Sequence, residues 1–204
     1  MEGATVTTTA ALLSGGMDSY ALTFEKRPHV AITIDYGQRP AEAEIGAAKL
    51  LARRLDIRHE IVHLDMRELG SGDLSANKPA DAAPASDWWP FRNQALITIA
   101  AMKLIDSGVD ELMLATVVSD SSHKDGTKEF IELSDALLSN QEGNMRVTAP
   151  AIEMTTLELI HQSRIPLSLL AWSHSCHTSN VACGRCRGCN KSREVFEGLG
   201  LADR

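Results

Sequence analysis

Three short runs, Thr5 to Leu13, Val30 to Asp35 and Arg58 to Leu64, are rich in β-branched and apolar residues and read as strands. Between them, Tyr20 to Lys26 and Pro40 to Leu55 carry apolar residues at helical spacing, with Pro40 suited to a first turn, where its missing N–H costs nothing. This order, βαβαβ, predicts a parallel sheet with right-handed crossovers. The pattern dissolves into Gly, Ser, Ala, Asp and Pro from Met66 to Trp89, a loop long enough to be a lid, an interface or a mobile segment. WWPFRNQ, Trp88 to Gln94, opens a helix running to about Ser107. Val109 to Val118 is continuously apolar, as a central parallel strand should be. A helix at Glu129 to Ser139, a short strand at Asn144 to Ala149 and a helix at Met154 to Ser163 complete a doubly wound α/β body. That body is expected to span 1–170, followed by a small cysteine-bearing segment at 171–204.

Ligands in such sheets sit beyond the carboxyl ends of the strands. SGGMDS, Ser14 to Ser19, lies there, between a strand and a helix start. Gly15 and Gly16 have no Cβ and can take positive φ, so a phosphate can approach the backbone while unpaired N–H groups point at it. The Ser14 and Ser19 hydroxyls can add donors, and Asp18 can hold magnesium or orient an amide. The string is not GxxxxGK[ST] and brings no lysine of its own. Two glycines alone would read as an ordinary turn; the six residues together resemble the PP-loop of the ATP pyrophosphatase superfamily, whose members adenylate a substrate oxygen. That resemblance places ATP on Leu13, Ser14, Gly15, Gly16, Met17, Asp18, Ser19 and Tyr20.

Three further stretches face the same crevice. Asp35, ending the second strand in DYGQR, is placed to meet a ribose or adenine, and Arg39 a phosphate or carboxylate. Arg92 and Asn93 fall at a helix N-terminus, where an anion is favoured and Asn can cap. Ser119 to Phe130 is a dense polar loop with Asp120, His123, Lys124, Asp125 and Lys128. HEIVH, His59 to His63, fits the zinc-protease string, but that string works only on a helix. On a strand, four residues span about 13 Å, too far for two imidazoles to share a metal.

A chain of 204 residues, 44% hydrophobic, can bury one sizeable core. Its formal charge of −7 argues against broad attraction to nucleic acid or anionic membrane. No apolar run approaches the roughly 18 residues of a spanning helix, and the N-terminus does not read as a secretory signal. All four cysteines, Cys176, Cys183, Cys186 and Cys189, are confined to the C-terminal segment, which suits a reducing, cytoplasmic setting better than a disulfide-stapled domain. Two CxxC steps share Cys186, and Gly184 and Gly188 permit tight turns around one centre, which favours structural zinc with no open position. An iron–sulfur cluster, a nucleic-acid-binding zinc knuckle (Arg185, Arg187, Lys191 and Arg193 are basic) and a redox disulfide pair are the rivals, in that order.

LSGGMDS at Leu13 to Ser19, DYGQR at Asp35 to Arg39, PFRN at Pro90 to Asn93, EFI at Glu129 to Ile131, and WS followed by the cysteines together resemble the 7-cyano-7-deazaguanine synthase family. The resemblance implies a ligase that uses ATP with magnesium, and ammonia, to turn 7-carboxy-7-deazaguanine into the nitrile. It also implies structural zinc and a homodimer. It assigns the reaction to Asp18, Arg92, Lys124 and Asp125. Substrate contacts fall to Tyr36, Gln38, Arg39, Arg92, Asn93, Asp120 and Asp125, with Asp35 on ATP. Two departures stand out. Where the family reads GYPDCRP, Ser122 to Lys128 retains only Asp125, and WSHSC adds His174 and Ser175 before the first cysteine. A diverged ligase that passes the acyl group to another amine, such as a protein terminus, is the alternative. A non-catalytic RNA-binding knuckle is a second.

Overall fold

The computed structural model describes residues 7–201. Five parallel strands, β1 (Thr9–Leu12), β2 (Val30–Asp35), β3 (Arg58–His63), β4 (Glu111–Met113) and β5 (Arg146–Thr148), stand in the order β3-β2-β1-β4-β5. The expected βαβαβ half is present, and β2 has the expected bounds. Thr5 and Val6 of the first expected strand lie outside the described residues. The fourth strand keeps only three residues of the expected ten, because beyond Leu114, whose amide still reaches Thr148 O at 2.8 Å, the chain turns across the sheet end to build the site.

Helices α1 (Met17–Lys26), α2 (Ala41–Leu55) and α5 (Thr156–Ser163) cover one face; α3 (Arg92–Leu104) and α4 (Lys128–Ser139) cover the other. Strand alternation decides which residue faces which layer. Ala10, Ile32, Ile34 and Leu112 pack with Ile97, Leu104 and Ile131, whereas Leu13 and Ala31 pack with Tyr20, Leu51 and Leu159. Helix α1 begins at Met17, three residues before the expected start, so the Gly-rich turn runs straight into it. Pro40 stands just outside α2 at its N-cap.

Two further helices follow, the single-turn α6 (Leu167–Leu170) and α7 (Arg187–Gly198). No helix was expected at α7, which is polar over most of its length; Val195 is buried in the core beneath α5, with Phe196 partly buried beside it. Its start is fixed instead by Cys186, whose Sγ accepts the Cys189 amide at 3.4 Å. The strand reading of HEIVH holds. His59 Nε2 meets Thr33 Oγ1 at 2.8 Å, and His63 Nδ1 meets Asp35 Oδ2 at 3.1 Å, so the two rings serve separate partners.

Candidate active site

The first strand is followed in the sheet by β2 on one side and β4 on the other, and the chain leaves β1 at this switch point. A cleft of about 650 Å³ opens there, floored by Leu12, Ile32, Ile34 and Leu114 at the strand ends. The Gly-rich turn forms one wall. Gly15 takes φ +85°, and a Cβ on it would lie 2.5 Å from Glu44 O. Gly16 departs from the expected positive φ: it is extended at φ −77° and caps α1 without any side chain, leaving the first amides of the helix open to an anion. Ser19 Oγ donates to Gly16 O at 2.9 Å, and Ser14 Oγ reaches Ser19 Oγ at 3.1 Å. Gly15→Ala is therefore expected to lower folding stability by about 2 kcal/mol or more, from the left-handed backbone and the collision with α2. Gly16→Ala, with nothing closer than 3.5 Å to its Cβ, should be nearly neutral in the same urea titration.

The lysine that the turn lacks comes from α7. Lys191 Nζ stands 2.9 Å from Asp18 Oδ2 and 3.6 Å from Asp120 Oδ1. Burial pushes the Asp18 carboxyl above its usual range while Lys191 pulls it back, and Asp18 Oδ1 is buried with no partner among the described residues. The backbone of the cysteine segment also holds the turn directly: His174 N donates to Gly15 O at 2.8 Å. Asn180 Oδ1 accepts the Ala43 amide at 3.1 Å, capping α2 beside the turn. The residues added in WSHSC thus form part of a clamp on the Gly-rich turn.

The opposite wall carries Arg92. Burial works against its guanidinium charge, and the carboxylates of Asp125, Asp87 and Glu44 around it favour it. Asn93 does not cap α3 as expected. Phe91 occupies the cap, and Asn93 instead donates its amide to Asp125 Oδ2 at 3.1 Å and its Nδ2 to Asp125 O at 2.8 Å, tying the polar loop to the helix start. Tyr36 packs edge-on against Trp89, with ring centroids 4.9 Å apart, and Gln38 accepts the Tyr36 amide and donates to Glu44 Oε2 at 2.7 Å. The long loop ends in the cleft wall: Asp87 meets Arg187 Nη1 at 3.4 Å, and His123 Nε2 and His177 Nδ1 at 3.6 Å each.

Of the residues singled out from sequence, Leu13, Ser14, Gly16, Met17, Asp18, Ser19, Tyr36, Gln38, Arg92, Asn93, Asp120 and Asp125 line this cleft. Gly15 is behind it, and Tyr20 anchors α1 by donating to Ala47 O at 2.6 Å. Asp35 turns to the Gly37 amide and His63, and Arg39 and Lys124 are exposed outside the lining. Sequence reasoning missed Glu44, Asp87 and the placement of Lys191 and His177. All four reach the cleft through contacts distant in the chain.

The four cysteine sulfurs lie within 4.8 Å of one another, with Cys183 to Cys189 and Cys176 to Cys186 both 3.9 Å apart. A tetrahedron with bonds of about 2.3 Å has edges of about 3.8 Å, so the set fits one zinc-sized ion. Backbone amides of His177 and Cys189 point at Cys186 Sγ, as they do at a thiolate. No helix among the described residues is long and apolar enough to cross a membrane.

A β3-β2-β1-β4-β5 parallel sheet whose first turn is SGGMDS, with a cleft at the switch point and a four-cysteine cluster beside it, defines an α/β enzyme that takes its ligand beyond the strand ends. The chain belongs to the family described as queuosine biosynthesis protein QueC, which matches residues 8–200. It is similar to the 7-cyano-7-deazaguanine synthase of Porphyromonas gingivalis, 29% identical with 94% of this chain and 93% of the relative covered. The enzymes of that name from Methanothermobacter thermautotrophicus (30% identical; 94% and 95% covered) and Cupriavidus taiwanensis (32%; 94% and 93%) are comparably similar.

Proposed function

We propose that this chain joins ammonia to 7-carboxy-7-deazaguanine at the expense of ATP, first as the amide and then, after a second adenylation, as the nitrile. The observation that carries this reading is the meeting of the Gly-rich turn, Lys191 and Arg92 in one cleft of a family member. The chemistry asks for positioning and for relief of negative charge as an oxygen attacks the α-phosphate. The open amides of α1 and Lys191 hold the phosphates; Arg92 holds the carboxylate being activated. Asp18, with its unpartnered Oδ1, and Asp120 supply the oxygen ligands that magnesium prefers, and magnesium would neutralise phosphate charge there. Strand-end apolar residues and the Tyr36–Trp89 pair give the heterocycles flat, dry surfaces. Zinc on the four cysteines would hold residues 171–201 against the nucleotide body; the homodimer follows from the family resemblance, and the cytoplasmic setting from the confinement of the cysteines to one segment.

One observation favours a second reading. The loop before α4 lacks the family cysteine and arginine, and its His123 instead meets Arg187 Nη1 at 3.2 Å. A cleft altered there suits transfer of the activated acid to a different amine. Mass spectrometry of a reaction with ATP, magnesium, the acid and labelled ammonium separates the two. Labelled nitrile is the expected product, whereas accumulation of the acyl-adenylate alone supports the other acceptor.

A further inference from the structure

Ammonium dominates at neutral pH and has no lone pair, so a ligase using it needs a group that binds the cation and removes a proton. The carboxylates of the cleft are mostly engaged: Asp18 and Asp120 by Lys191, Asp125 by Asn93, and Asp87 by Arg187. Glu44 is not. It sits in the first turn of α2, its backbone against Gly15, and its side chain lines the cleft between the Gly-rich turn and Arg92. Oε2 accepts from Gln38 at 2.7 Å, while Oε1 has no hydrogen-bond partner among the described residues.

We propose that Glu44 is the ammonium site: its free oxygen binds the cation, takes one N–H proton and releases ammonia toward the carbonyl activated between the Gly-rich turn and Arg92. This rests on the ligase reading. The nitrogen lone pair forms the C–N bond, and the bond from carbon to the phosphate oxygen breaks with its electrons leaving on AMP. The second surplus N–H proton passes to that phosphate, and Glu44 returns its own to water. Burial pushes the Glu44 carboxyl up to about 7, opposed by the Gln38 hydrogen bond and by Arg92, with Asp35 acting in the same direction as burial. Tyr36 also faces it, kept a neutral phenol by burial. Below this value Glu44 is protonated and neither binds a cation nor accepts a proton; above it the carboxylate does both. At a fixed concentration of ammonium the rate should therefore rise with pH up to about 7 and level off above it, whereas a site that takes free ammonia would go on rising.

Glu44→Gln keeps the side-chain shape and a partner for Gln38, and Glu44→Asp keeps the charge. Two readouts apply: acid-dependent exchange of pyrophosphate into ATP, which reports adenylation alone, and product formed from ammonium or from hydroxylamine, which is already neutral near pH 7. Glu44→Gln is expected to keep exchange within about threefold and to lose about a hundredfold in ammonium-dependent product. Its levelling-off above about 7 should vanish, hydroxylamine should restore most of the rate, and Glu44→Asp should stand between it and the parent. An equal loss with both amines, or lost exchange, makes Glu44 a positioning residue and overturns the proposal, as does an unchanged ammonium rate. Absence of exchange in the unaltered protein instead overturns the ligase reading, and the Glu44 assignment with it.

Discussion

Replacing Lys191 with methionine is expected to weaken ATP binding about thirtyfold, the equivalent of ~2 kcal/mol for one charge-assisted contact, and to slow pyrophosphate exchange further. The Gly-rich turn contributes amides and hydroxyls but no cation, and Lys191 is the ammonium group seated on it, 2.9 Å from Asp18. Without it the triphosphate would meet Asp18 and Asp120 uncompensated. Methionine retains the apolar stem, so α7 should stay packed through Val195 and the loss should be confined to the charge. Lys191→Arg should recover part of the affinity. Calorimetric titration with a non-hydrolysable ATP analogue measures this, and an unchanged dissociation constant would reduce the Lys191–Asp18 pair to a structural ion pair.

The second large effect concerns the metal. Elemental analysis should find zinc at one ion per chain, and stripping it should lower the melting temperature and cost at least about tenfold in ATP affinity. The reason is geometric. His174 N on Gly15 O, Asn180 on the Ala43 amide and Lys191 on Asp18 all come from the segment that the four cysteines fold. Four thiols crowded within 4.8 Å with no cation would splay, taking all three ties with them. Zinc added back to the reduced protein should restore both quantities. Metal-free protein that binds ATP as tightly as the zinc form would show the ties to be independent of the cluster.

What the sequence made legible is what its periodicity encodes. The edges of β2 and most of α2 follow from β-branched and helical spacing, and the Gly-rich turn follows from its place between β1 and α1. The tetrad was legible from its spacing as well, because nearest-neighbour turns bring those sulfurs together. The remainder depends on contacts between distant positions. Lys191 and Asp18 are 173 residues apart, and no local pattern states that they touch. Helix α7 went unassigned, since it is mostly polar and starts on a cysteine sulfur rather than on Ser, Thr, Asp or Asn. Asn93 looked like a cap because its type suits one, but Phe91 in the left-handed region took that position and freed Asn93 to hold Asp125. Lys124, given a role in the reaction by the resemblance, is exposed outside the cleft lining while its neighbours His123 and Asp125 line it.

The hydrogen bond from His174 to Gly15 also sets an order in time. During synthesis the strands β1 to β5 and their helices leave the ribosome before residues 174 to 191. A nascent chain can therefore complete its sheet, and even its Gly-rich turn, while still lacking the segment that ties that turn down. Domains begin to fold as they emerge, so under the proposed ligase reading any adenylation would wait until the cysteine segment has emerged and folded against the turn.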